Sequence, residues 1–260
     1  MLLLLLACQP QGELQVGAWS INPRDDGALD IAGEHARWSG VRLATAAAPA
    51  ASAEMQLGAF RFAPVDPAFA DVARFERTGD GIDAVLADGS SAALELADEG
   101  GALRLRWSPR CDPREGCPQE RWLRFTADCE AGEPILGLGS HAMDVDHAGE
   151  AFPLWVSEPG IGKSDDDVQG TDWVLRGTRH ASSYPVPFLL RPEQPTGALL
   201  DTIARVEVDL CAADPGRLSA TAWGDAELVL LDGERPVDVV RALNARTGRP
   251  PLPPRWALGP

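Results

Sequence analysis

Leu103-Arg104-Leu105-Arg106-Trp107 alternates apolar and charged side chains with strict period two. Successive side chains of a strand leave opposite faces, so this stretch buries Leu103, Leu105 and Trp107 and wets both arginines. Short apolar or alternating runs recur outward from it in both directions, at 14–21, 41–45, 55–62, 82–86 and 92–96, and at 122–125, 198–200, 206–210 and 226–231. Between them lie Asp25-Asp26-Gly27, Thr78-Gly79-Asp80-Gly81, Asp88-Gly89, Asp98-Glu99-Gly100-Gly101 and Asp232-Gly233, the Asp-Gly punctuation of hairpins. Many short strands with regularly spaced turns predict an all-β sandwich.

Two segments interrupt the pattern. Residues 140–184 are rich in Gly, Asp and aromatics with little strand character, too long for an idle connection, and long ordered loops carry function. At 235–248, Pro236 opens a helix, Val237, Val240, Leu243 and Thr247 recur near helical spacing, and Gly248 stops it. A proline-stiffened linker and an apolar run follow.

The 260 residues are 45% hydrophobic and 24% charged, which describes a folded chain rather than a disordered one. A net charge of −16 lacks the basic footprint that nucleic acid requires, so no nucleic-acid partner is expected. Five cysteines leave one over. Leu5-Leu6-Ala7-Cys8 resembles the bacterial lipobox, which makes Cys8 the expected lipid anchor of an exported envelope protein, with residues 1–8 the remnant of its signal. Export favours disulfides among the other four. Cys111 and Cys117 flank a polar loop and are the first choice for a local staple, leaving Cys129 with Cys211; four free thiols are the alternative. Neither CxxC spacing nor a histidine cluster supports a metal, and no cofactor is expected. His141, Asp144, Asp146 and His147 are read as structural, and Asp165, Asp166 and Asp167 as a solvated tip.

The tail Pro251-Leu252-Pro253-Pro254-Arg255-Trp256-Ala257-Leu258-Gly259 after the helix resembles the junction in glycoside hydrolase family 31 between an N-terminal β-sandwich and the catalytic (β/α)8 barrel. Upstream landmarks stand in the family's order: Gly137-Leu138-Gly139, the run from Phe152 to Lys163, Ser183-Tyr184-Pro185-Val186-Pro187-Phe188, and Gly197-Ala198-Leu199-Leu200-Asp201-Thr202. The resemblance implies a galactose-mutarotase-like sandwich over 9–233, including a pocket loop at 140–184. The helix, linker and first barrel strand then occupy 234–260. The family's reaction is retaining hydrolysis of α-glycosides by two carboxylates. Both lie on later barrel strands, so the resemblance implies no catalytic residue in this chain.

By the same resemblance the loop helps to shape a sugar subsite. Trp155 would offer an indole face and Glu158 a hydroxyl acceptor, while Gly160 and Gly162 allow close backbone approach beside Lys163. The alternatives are a core tryptophan and a solvated carboxylate paired with Lys163. The related sulfoquinovosidase branch reads Ser-Glu-Gln-Gly-x-Gly-Arg, whereas this chain has Pro159 and Lys163, which removes an amide and a forked donor. The expected partners are an α-linked glycoside or oligosaccharide, the barrel, and a membrane through Cys8. A free-standing carbohydrate-binding lipoprotein of the same fold is the competing reading.

Overall fold

The structure, a computed structural model, describes residues 12–48, 52–56, 59–78, 81–110, 121–130, 132–141, 144–157 and 180–249. It is the all-β sandwich that the alternation predicts. The strands are β1 Leu14–Val16, β2 Trp19–Pro23, β3 Leu29–Ala32, β4 Arg37–Ala47, β5 Ala53–Gln56, β6 Ala59–Phe62, β7 Ala70–Thr78, β8 Gly81–Leu86 and β9 Ser91–Glu99. They continue with β10 Ala102–Arg110, β11 Arg121–Asp128, β12 Leu136–Gly139, β13 Ala151–Leu154, β14 Pro185–Arg191, β15 Thr196–Asp201, β16 Val206–Leu210, β17 Arg217–Ala222 and β18 Glu227–Asp232. A single helix, α1, spans Pro236–Thr247 among the described residues.

Hydrogen bonding runs continuously through β12-β14-β15-β18-β10-β9-β8-β7 and on through β4-β11-β17-β16-β13. The eleven-residue β4 makes the turn between layers: its later part pairs with β7 and β11, and its earlier part with β3, from which β2 and β1 follow. Leu103 and Leu105 of β10 are fully buried between the layers with Trp19, Trp38, Phe75 and Phe125, while Arg104 and Arg106 face outward to Glu227 of β18. The period-two reading of that strand therefore holds residue by residue, except that Trp107 only half enters the core.

Departures from the expected strands have local causes. The run 14–21 is a hairpin rather than one strand, turning at Gly17 with φ 59°, and 55–62 likewise belongs to the β5–β6 hairpin. Strand β7 carries only two buried side chains, Val72 and Phe75, in nine residues, too sparse an apolar face to register as a run. Strand β13 lies inside the segment read as lacking strand character and adds an edge to β16.

Pro236 opens α1, and the N–H of Gly248, whose φ is 90°, closes it on the Asn244 carbonyl. The buried face differs from the expected stripe. Val239 is fully buried, supported by Ala242 and Leu243, whereas Val237 and Val240 are exposed. The reason lies across the contact: Gly197 and Gly233 carry no Cβ, and one added to either would come within 3.0 Å of Val239. Val239 thus seats in a notch beside Phe188, Leu199 and Leu231. Arg246 pins the last turn to Glu99 and Asp201.

Cys129, just after β11, and Cys211, just after β16, are joined by a disulfide. Cys8, Cys111 and Cys117 lie outside the described residues.

Candidate functional site

The site begins where β13 ends. Past Leu154 the chain continues through Trp155 to Val156, which bridges Ser182, while the Ser157 N–H donates to the Ser182 carbonyl at 3.0 Å. The Ser182 hydroxyl donates to the Ser140 carbonyl at 2.8 Å and accepts from the Tyr184 N–H. Both ends of the segment carrying residues 158–179 are therefore fastened at one place on the sandwich. The glycine landmark at 137–139 has its cause here. Gly137 and Gly139 have φ of 106° and 102°, and a Cβ on either would lie within 2.5 Å of a β14-side carbonyl, that of Phe188 or of Tyr184.

Trp155 is half-buried and lines a concavity of about 290 Å³ with Leu154, Val156, Pro187, Ile203 and Val206. The rings of Phe60 and Phe62, presented by the β5–β6 hairpin, meet it edge-on at 6.0 and 5.7 Å. The row continues: Phe62 meets Trp223 at 5.6 Å, and Trp223 stacks on Trp122 at 4.3 Å. The guanidinium of Arg205 lies over both Phe62 and Trp223, at 4.5 and 4.0 Å. Burial pushes the pKa of Arg205 below its ordinary value, with Glu207 at 2.5 Å opposing the shift. The indole N–H groups of Trp155 and Trp223 and the Nε–H of Arg205 are buried without a hydrogen-bond partner among the described residues. Trp155 brings an indole to the concavity, and an aromatic face suits a polyhydroxylated ligand, whose C–H faces are apolar.

The rim of this concavity is apolar and uncovered. Ile203 and Val156, which line it, are exposed, and so are Tyr184 and Val186, the chain neighbours of its lining residues Pro185 and Pro187.

Of the residues expected to meet sugar, only Trp155 falls within the described residues; Glu158, Gly160, Gly162 and Lys163 lie outside them, as do Asp165, Asp166 and Asp167. Asp146 is structural, accepting from the N–H groups of Ile135 and Ala148 at 2.9 and 3.0 Å. His147 is another matter. It is buried and faces Glu150, and His180 reaches the same carboxylate oxygen from the far end of the segment. Glu150 is only three residues from His147, but spacing along the chain does not reveal His180 as the second partner. Phe60, Phe62 and Arg205 likewise carry no local signal of their nearness to Trp155.

No family model matches the chain. It is 29% identical over 189 residues to a sulfoquinovosidase of Agrobacterium fabrum, covering 70% of this chain and 26% of that protein. It is 25% identical over 128 residues to an α-glucosidase of Saccharolobus solfataricus, covering 49% of this chain and 17% of that one. The chain thus spans about a quarter or less of these curated relatives. Among solved structures, a sulfoquinovosidase from E. rectale, determined with an aza-sugar inhibitor, superposes with a TM-score of 0.69 over 91% of this chain and 35% of its own length. At 15% identity this establishes a shared fold.

Proposed function

We propose that this chain, which shares both sequence and fold with the N-terminal region of family 31 glycoside hydrolases, is the non-catalytic portion of an exported retaining α-glycosidase. It supports a catalytic barrel and lends Trp155 to a sugar subsite. The observation that carries this reading is the half-buried Trp155 in a concavity lined by the exposed Val156 and Ile203, with the exposed Tyr184 and Val186 next in sequence to its lining residues Pro185 and Pro187. A neighbouring domain seated there would cover the apolar surface and complete the subsite. The retaining reaction needs two carboxylates about 5–5.5 Å apart. In this reading the barrel supplies both, and the sandwich supplies shape.

The purified chain is expected to hydrolyse no aryl α-glycoside and to bind a hydrophobic dye; Tyr184→Asp with Ile203→Asp should cut the dye signal several-fold without unfolding. Turnover above a mock purification would overturn the non-catalytic role, and a monodisperse monomer that binds no dye would remove the docking face.

Anchoring through Cys8 is part of the same proposal, supported by the lipobox-like Leu5-Leu6-Ala7-Cys8. Radiolabelled palmitate should be incorporated in a bacterial host and lost in Cys8→Ser; equal labelling of both would exclude that cysteine.

A further inference from the structure

Three of the chain's four histidines, His141, His147 and His180, converge on one spot with Phe152 at its centre. We propose that His147, Glu150 and His180 form a zinc-class divalent-metal site that ties the base of the 155–182 segment to the sandwich. This assignment is independent of the carbohydrate reading.

The geometry suits a metal. His147 Nδ1 lies 3.3 Å and His180 Nε2 3.8 Å from the same Glu150 oxygen, and the three ligand atoms all lie within 4.8 Å of one another. Ligands about 2.0–2.1 Å from a tetrahedral zinc stand roughly 3.4 Å apart, so an ion fits between these atoms after sub-ångström adjustment. Two imidazole nitrogens and one carboxylate oxygen form a donor set that zinc accepts.

The ligands are also held in advance. The backbone of the 147–150 turn is fixed on both sides: the His147 N–H donates to the Ile135 carbonyl at 2.8 Å, the Gly149 N–H to Leu210 at 2.7 Å, and the Leu210 N–H back to Glu150 at 2.8 Å. The His180 ring stacks on Phe152 at 4.0 Å with only 5° between planes, which fixes its orientation. Phe152 is buried and the His147 side chain is 2% exposed, while Glu150 and His180 are about a fifth exposed, so the cluster has a buried inner side and an outer side that an ion can reach. Glu150 precedes β13 and His180 precedes β14. One ion would therefore join the two sides of the segment at a second point, beyond the Val156–Ser182 bridge.

The test is calorimetric titration of the chelator-treated full chain with Zn²⁺ alone, checked by competition with a chromophoric chelator. We expect one equivalent of tight binding, a rise in Tm that a chelator reverses, and tetrahedral absorption bands with Co²⁺. His147→Ala and His180→Gln should each weaken binding by about 100-fold or more, since even loss of an outer partner costs ~10–100-fold. His35→Ala, at the remaining histidine, which is not one of the three clustered groups, should leave binding unchanged. If the buried His147→Ala does not fold, His180→Gln at the more exposed edge decides alone. No binding by the native chain, or equal binding by the native chain and His180→Gln, overturns the site.

Discussion

Glu133→Ala is expected to lower the stability of the sandwich by about 3–5 kcal/mol, the cost of stranding a buried charge. Arg191 donates to Glu133 through Nε at 2.8 Å and through a terminal nitrogen at 2.6 Å, and the two side chains are only 4% and 3% exposed. Removing the carboxylate leaves the guanidinium of a side chain that is only 4% exposed without its bidentate partner. The damage would spread, because the Arg191 guanidinium also lies 5.1 Å over the Trp38 ring. The Trp38 indole donates to the Thr196 hydroxyl, which donates in turn to the Leu231 carbonyl, each at 2.8 Å. One ion pair therefore underlies a chain of bonds linking β14, β4, β15 and β18. Urea denaturation measures the loss, and Tm should fall by roughly 10 °C or more. Glu133→Gln should cost less, since its oxygen still accepts from Arg191. By contrast, breaking the exposed Arg74–Glu76 pair should change stability by less than about 1 kcal/mol. A loss below that figure for Glu133→Ala would mean that water reaches the pair.

Opening the Cys129–Cys211 disulfide should cost about 2–5 kcal/mol, because the bond closes a loop 82 residues long and so restricts the unfolded chain. Cys129 follows β11 and Cys211 follows β16, with β17 hydrogen-bonded between those strands, so the bond clamps three neighbouring strands at one end. The Cys129 N–H also donates to the Gly216 carbonyl in the turn entering β17. The Cys129→Ser, Cys211→Ser double variant should show a lowered Tm, and reduction of the native protein should lower Tm at least as far. A native Tm indifferent to reductant would show that the bond contributes nothing to stability. The effect also bears on compartment: a chain that needs this bond is suited to an oxidising environment, in keeping with the proposed export.

Much of the fold is legible along the chain because its signals are local. Strand β10 shows its burial in five consecutive residues, and the turn between β9 and β10 is written as Asp98-Glu99-Gly100-Gly101. The ends of α1 are given by Pro236 and Gly248, since a missing N–H and a positive φ are properties of single residues. Which face of α1 is buried is not such a property. Val239 lies inward because two glycines, one on β15 and one after β18, leave a notch for it, and neither can be weighed from the helix sequence.

The candidate sites divide in the same way. Trp155 stands out in the sequence through the resemblance that surrounds it, but its wall of Phe60, Phe62, Arg205 and Trp223 comes from hairpins and strands far away along the chain. His147 and Glu150 are three residues apart and could be paired by eye, whereas His180 arrives only because Val156 and Ser182 bring the two ends of one segment together. Glu133 and Arg191, 58 residues apart, look like two surface charges until folding buries both. The sequence alone determined the all-β class, the turns, the single described helix and the family resemblance, because alternation, Gly and Pro act through the backbone at short range. The tertiary structure alone decided which side chains share a site, because burial and proximity depend on which distant strands become neighbours.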